Sequence, residues 1–141
     1  NEIKKYRKKL NNPLVDRIDL QVKVDRLNYQ ELINGEKNVT SESIRAKVVK
    51  CYDIQRERYK NEKFKLNSAI TPDKISYYCL MEKGGNKTLE KFMEENLLTA
   101  RSCHKILKIS RTIADLRGNE IISVDDINKA IAFRFLDTEI A

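Results

Sequence analysis

Most of the hydrophobic pattern in this chain has the three- and four-residue spacing of amphipathic helices. A long helix is predicted over residues 41–62, with an inner stripe formed by Ile44, Val48, Cys51, Tyr52, Gln55 and Tyr59. Further helices are predicted at residues 75–81, 87–97, 99–117 and 123–135. The second half of the chain is therefore expected to be a bundle of four to five helices.

Capping residues support several of these boundaries. Thr99 is a suitable N-cap for the helix that follows it, and Gly118 is a suitable residue to end that helix. Ser123 and Asp126 have the spacing of a capping box. Thr71, followed by a proline and an acid, is a third predicted helix start.

A different pattern occupies residues 18–24, where apolar residues alternate with Asp19, Gln21 and Lys23. A period of two predicts a strand with one buried face, and a strand must pair with others to satisfy its backbone. Residues 1–33 are therefore predicted to be the edge of a larger α/β domain, followed by a linker at 34–40 and a helical domain at 41–141. The predicted fold class is mainly α, with a one-strand α/β remnant before the helical bundle.

The chain is basic, with 28 Lys and Arg against 21 Asp and Glu. Such a surplus favours polyanions such as nucleic acid or nucleotide phosphates, without choosing among them. The three cysteines are interpreted as buried apolar residues in a reducing compartment, which predicts a cytoplasmic protein. The longest apolar run falls short of the about eighteen residues that a membrane-spanning helix requires. No membrane partner is expected.

Catalytic chemistry is not evident in the chain itself. The segment 85–88 ends in Lys-Thr as a phosphate loop does, but it lacks the required glycine before Lys87 and follows a helical pattern. It is interpreted as a helix start. Cys103 and His104 point about 100° apart on one helix and form no metal or nucleophilic pair. We expect no metal site.

Two arginines have positions that suit a phosphate contact. Arg17 lies where a short helix meets the predicted strand and is expected to project outward, although a surface ion pair with Asp16 or Asp19 is the alternative. Arg101 lies in the first turn of a helix, where an arriving phosphate would relieve an unfavourable positive charge. Lys105 is on the same face of that helix, and a solvated charged face is the alternative interpretation there.

Several segments resemble magnesium-chelatase-like AAA+ ATPases of the ComM type. Residues 6–20, which contain Pro-Leu-Val-Asp-Arg-Ile-Asp-Leu, are similar to one signature segment of that family. Residues 98–116 are similar to a second, and residues 127–135 and 78–80 also match. Asn11-Asn12 departs from the family's Ser-Gly. The resemblance covers nearly the whole chain.

The resemblance implies a specific set of roles. The helical domain would be the AAA+ lid, and the Walker motifs would lie in an AAA+ core before Asn1, so this chain would be a C-terminal piece unable to hydrolyse ATP alone. Arg17 matches an arginine finger that acts in trans, and Arg101 matches the second sensor arginine, which contacts nucleotide. Both roles need an oligomeric ring, usually a hexamer, with ATP and Mg²⁺ as cofactors. The family is similar to DNA-processing motors linked to competence and recombination.

Two other functions stay open at this point. The chain could be a basic helical module that binds nucleic acid directly, through a predicted basic helix over residues 2–10 and a stripe of Arg101, Lys105 and Lys108. It could also be an interaction scaffold without chemistry, in which Arg17 and Arg101 tolerate replacement. Salt-dependent DNA binding would favour the first of these two, and tolerance of both substitutions would favour the second.

Overall fold

The computed structural model describes residues 17–26, 29, 33 and 39–134. This part of the chain is mainly helical, which confirms the predicted fold class. Its helices are α1 Ser41–Arg58, α2 Ile75–Tyr78, α3 Gly85–Glu95, α4 Ala100–Arg117 and α5 Val124–Ala132. Two short 3-10 helices, Asn67–Ala69 and Pro72–Lys74, lie between α1 and α2.

Helix α4 lies at the centre of the bundle. It packs against α5, α1, α2 and the first 3-10 helix, while α3 packs on α5. The core contains Tyr59, Ile70, Ile75, Cys79, Leu89, Ile106, Leu107, Ala114, Ile122, Ile127 and Ala130. Because these residues come from every part of the bundle, one continuous core holds the helices together.

Three predicted helix ends are confirmed by their hydrogen bonds. The Thr99 hydroxyl accepts a hydrogen bond from the backbone N–H of Ser102 at 3.2 Å. Gly118 ends α4 in the left-handed conformation, with φ of 77°. Ser123 and Asp126 form the reciprocal capping box at the start of α5. Local sequence therefore determines both ends of α4.

Other predicted boundaries were wrong by a few residues. Helix α1 ends at Arg58 because the Lys65 ammonium donates to the carbonyls of Tyr59, Lys60 and Glu62, at 3.0 Å each. These bonds close a turn around the ammonium, and the chain leaves the helix there.

Helix α2 ends at Tyr78, short of Met81, because the residues after it pair with the segment between α4 and α5. The Ile122 N–H donates to the Leu80 carbonyl at 2.8 Å, and the Glu82 N–H donates to the Ile122 carbonyl at 2.9 Å. Helix α3 then begins at Gly85, two residues before the prediction, after Gly84 at φ of 102°. The segment 85–88 is a helix start, as interpreted.

The inner stripe predicted for α1 is only half correct. Cys51, Gln55 and Tyr59 are buried. Ile44, Val48 and Tyr52, on the same face, are about half exposed at 51%, 51% and 47%. The C-terminal half of α1 packs on the bundle, whereas residues 41–50 are exposed throughout.

The predicted strand at residues 18–24 was wrong. The structure assigns no strand to residues 17–26, and the apolar side chains Ile18, Leu20, Val22 and Val24 are 40%, 54%, 67% and 86% exposed. The polar Gln21 is buried, and its N–H donates to the Phe133 carbonyl at 2.8 Å. Alternation alone does not form a strand without a neighbouring strand. The predicted helix over residues 2–10 and most of the linker lie outside the described residues, and the domain boundaries stay predictions.

Candidate functional site

Arg17 lies in an exposed turn at the start of the described segment 17–26. Of the two carboxylates considered as its surface partners, Asp19 contacts another cation: its Oδ1 lies 2.8 Å from the Lys105 Nζ. Asp16 lies outside the described residues. Arg17 is thus exposed, and its role as a site residue stays a prediction.

The other three predicted site residues follow one another along α4. Arg101 is exposed in the first turn, immediately after the Thr99 cap. One turn later Lys105, with a side chain only 13% exposed, pairs with Asp19. Lys108 donates to the Ser68 carbonyl at 3.0 Å. Of these three, only Arg101 has the exposure expected of a solvated charged face.

The Lys105–Asp19 pair brings the Arg17 segment to the N-terminal half of α4. A second contact comes from Arg134, which is fully buried and donates from Nη1 to the Ile18 carbonyl. Arg134 was noted from the sequence only as part of the last matching segment. Its role as a donor to the Arg17 segment joins residues 116 positions apart, which helical periodicity cannot reveal.

A buried polar network lies at the opposite end of α4 and was missed by sequence reasoning. The fully buried Asp115 accepts from Arg58 at both oxygens, at 2.7 and 2.5 Å, and from Arg111 Nε at 3.1 Å. Asn67 Nδ2 donates to the same carboxylate at 2.8 Å. Its spacing from Arg101 places Asp115 on the charged face of α4, but the first 3-10 helix covers this part of that face.

The network fixes the C-terminal end of α1 against α4. The Tyr59 hydroxyl donates to Asn67 Oδ1 at 2.5 Å, and the Asn67 N–H donates to Gln55 Oε1 at 2.9 Å. Burial alone would lower the pKa of Arg58, but the hydrogen bonds and charge of Asp115 outweigh it and raise that pKa. The arrangement is suited to holding helices together, since every charge in it faces a protein partner.

Of the three cysteines predicted to be buried, Cys51 and Cys79 are buried, whereas Cys103 is only partly buried. All three are free thiols. Burial raises the pKa of Cys79 to about 11 and raises the pKa values of Cys51 and Cys103 as well. These thiols are therefore protonated and unreactive at neutral pH.

The described residues contain neither a candidate metal cluster nor a helix that could span a membrane. Within residues 17–26 and 39–134, no cluster of three or more His, Cys, Asp or Glu side chains has an arrangement that could hold a metal ion. None of the helices in this same part of the chain is both long enough and apolar enough to cross a bilayer.

Comparison with known proteins identifies the family of this chain. The profile of the C-terminal region of magnesium chelatase subunit ChlI matches residues 38–134, and the profile of magnesium chelatase subunit ChlI matches residues 1–32. The chain belongs to the magnesium chelatase ChlI family. The resemblance identified from the signature segments is thereby confirmed.

The chain is also similar to several individual proteins. The chain is 35% identical over 134 residues to the competence protein ComM of Haemophilus influenzae, which covers 94% of this chain. It is 27% identical over 137 residues to the uncharacterized protein YifB of Salmonella typhimurium and 24% identical over 131 residues to the uncharacterized protein Rv2897c of Mycobacterium tuberculosis, covering 94% and 93% of the chain. The chain spans about a quarter of these relatives, 26% of each.

Proposed function

We propose that this chain is the lid part of an oligomeric AAA+ ATPase and supplies two arginines to ATP hydrolysis. Arg17 would act in trans on ATP bound by a neighbouring subunit, and Arg101 would contact nucleotide. The observation that carries the proposal is the placement of Arg17 two residues from Asp19, whose carboxylate pairs with Lys105 one turn after Arg101. Two exposed guanidinium groups are thus linked through the N-terminal half of one helix.

The chemistry of both arginines fits a triphosphate. A guanidinium is always charged and forms forked hydrogen bonds with phosphate oxygens. A finger arginine neutralises charge that develops as the phosphoryl group is transferred, and Mg²⁺ bound with ATP neutralises more of it. We propose that the ligands of that ion belong to an AAA+ core outside this chain. The active assembly would be a ring, most simply a hexamer.

The substrate of the proposed motor would be DNA, in the cytoplasm. Support comes from the net charge of +7 and from the 35% identity to a protein named for competence. The alternative, a stand-alone nucleic-acid-binding module, was based on the basic segment 2–10, which lies outside the described residues, and on the stripe of Arg101, Lys105 and Lys108. The ammonium groups of the two lysines contact Asp19 and the Ser68 carbonyl, which favours the ATPase over direct DNA contact by these lysines.

The finger assignment is tested in the longer protein with Arg17→Ala and a matched control, Arg26→Ala, which removes another exposed arginine from the same segment. We expect Arg17→Ala to lower kcat by about a thousandfold or more, the effect typical of a finger arginine. ATP affinity should be nearly unchanged. Arg26→Ala should retain normal turnover. Normal turnover in Arg17→Ala would refute the assignment.

Action in trans has its own test. Arg17→Ala subunits are mixed with subunits whose phosphate loop cannot bind ATP, neither of which turns over alone. If the arginine acts across the interface, the mixture should recover activity, because a subunit with intact Arg17 then faces one with an intact ATP site. A mixture as inactive as its components would contradict action in trans.

A further inference from the structure

The segment that carries Arg17 is held on the helical bundle at three points. The Asp19 carboxylate of the segment pairs with the Lys105 ammonium of α4 at 2.8 Å. The backbone of the segment accepts from Arg134 at the Ile18 carbonyl and donates from the Gln21 N–H to the Phe133 carbonyl at 2.8 Å. These contacts come from two different parts of the bundle, α4 and the turn after α5.

The groups that form these contacts differ in their exposure. Arg134 is fully buried, and the Lys105 side chain is 13% exposed, whereas the Asp19 side chain is 63% exposed. A buried cation is stable only when it has partners, and Arg134 uses a backbone carbonyl as one of them. Two cations of the bundle thus meet a carboxylate and a carbonyl of the segment.

We propose that Lys105 and Arg134 are positioning residues for Arg17. They tie the finger segment to the bundle, so that the position of Arg17 depends on the position of α4. This inference rests on the proposed function of Arg17. Its consequence is a coupling between subunits: a movement of the lid when nucleotide contacts Arg101 would change the placement of Arg17 relative to the ATP of the neighbour.

The attachment of segment 17–26 to the bundle, here called the tether, is tested first in this chain, without any ATPase assay. Asp19→Lys replaces the attractive pair with Lys105 by a repulsive one, at an exposed position that does not disturb the core. The control is Asp25→Lys, in the same segment, where the 3.8 Å pair with Lys23 is 79% and 84% exposed. We expect hydrogen exchange of the Gln21 amide to accelerate about fivefold in Asp19→Lys and less than twofold in the control. Equal exchange in both variants would overturn the tether.

Positioning is then tested by charge-swap rescue in the longer protein. Asp19→Lys should lower kcat about fivefold with KM unchanged, because ATP still binds but the finger is misplaced. Combining it with Lys105→Glu restores an opposite-charge pair and should return kcat to within twofold of normal. A merely structural role would not produce rescue together with an unchanged KM.

The outcomes separate this proposal from the one it rests on. If exchange accelerates but Asp19→Lys leaves turnover normal, or if the swap fails to rescue, Lys105 does not position Arg17 and the inference is overturned. If Arg17→Ala itself turns over normally, the finger assignment fails. The exchange experiment reports on the tether in either case, since it requires no nucleotide.

Discussion

Replacing Asp115 by asparagine tests whether the buried network holds the bundle together. The substitution keeps the shape of the side chain but removes its charge. It also places an amide N–H₂ against donors that now point at a carboxylate oxygen. Arg58 and Arg111 would each lose a charged acceptor, and Arg111 is only 1% exposed, so water cannot replace it there.

The expected loss of stability in Asp115→Asn follows from the contacts of the Asp115 carboxylate. Asp115 accepts four hydrogen bonds, three of them from the two arginines. Removing one member of a buried ion pair typically costs about 3–5 kcal/mol, because the remaining charge is left without compensation. Arg111 keeps the carbonyls of Asn119 and Glu120 as acceptors, and the Arg58 side chain is 19% exposed. Both features place the expected loss near the lower end, about 3 kcal/mol.

Urea unfolding followed by circular dichroism measures this loss. With a slope of about 1.5 kcal/mol per molar urea, the midpoint should fall by about 2 M. Asp125→Asn is the matched control. Its carboxylate pairs with Arg117 and Lys129 but is 57% exposed, and exposed pairs contribute less than about 1 kcal/mol. If Asp115→Asn lost no more stability than Asp125→Asn, the network would not hold the bundle as argued.

Two further predictions concern packing and pH. Gly85→Ala should lower the free energy of unfolding by about 1–2 kcal/mol, because the added Cβ would lie 2.9 Å from Met81 Cβ and the helix propensity of alanine offsets only part of that overlap. Urea unfolding midpoints of Gly85→Ala and of the exposed control Asn86→Ala measure the difference. Equal stability of the two variants would contradict the prediction. Hydrogen bonds from Lys74 and Tyr78 lower the pKa of Glu62, so the unfolded chain takes up this proton first and stability should fall as pH drops below about 4.5. Urea midpoints from pH 6 to 3 should fall less steeply in Glu62→Gln; parallel curves would refute the assignment.

The parts of the fold that the sequence predicted are those determined within a few residues. The Thr99 cap, the Gly118 end of α4 and the Ser123 capping box each depend on a side chain and a backbone group at most a few positions apart. Side-chain chemistry alone is enough to identify such features. The family resemblance likewise depended on contiguous segments, and the profile match confirmed it.

The errors share a different cause, which is that burial is decided by distant partners. Residues 18–24 alternate as a strand does, yet the described chain places no strand beside them and their apolar side chains are exposed. The first half of α1 has the same inner stripe as its second half, but only the second half reaches the bundle. A periodic pattern shows that a face can be buried; it does not show what buries it.

The polar stripe of α4 shows how one helix face can serve two purposes. Arg101 is exposed, the Lys105 side chain is 13% exposed and the Asp115 side chain is fully buried. By spacing these residues are equivalent. The Arg101 charge near the start of α4 is exposed, whereas the Asp115 charge near its end lies inside the bundle and holds the helices together. Loss of turnover on replacing Asp115 would therefore indicate unfolding unless the urea midpoint were unchanged. The same loss at Arg101, which is exposed in the first turn of α4, would indicate a contact with nucleotide if the urea midpoint were unchanged there as well.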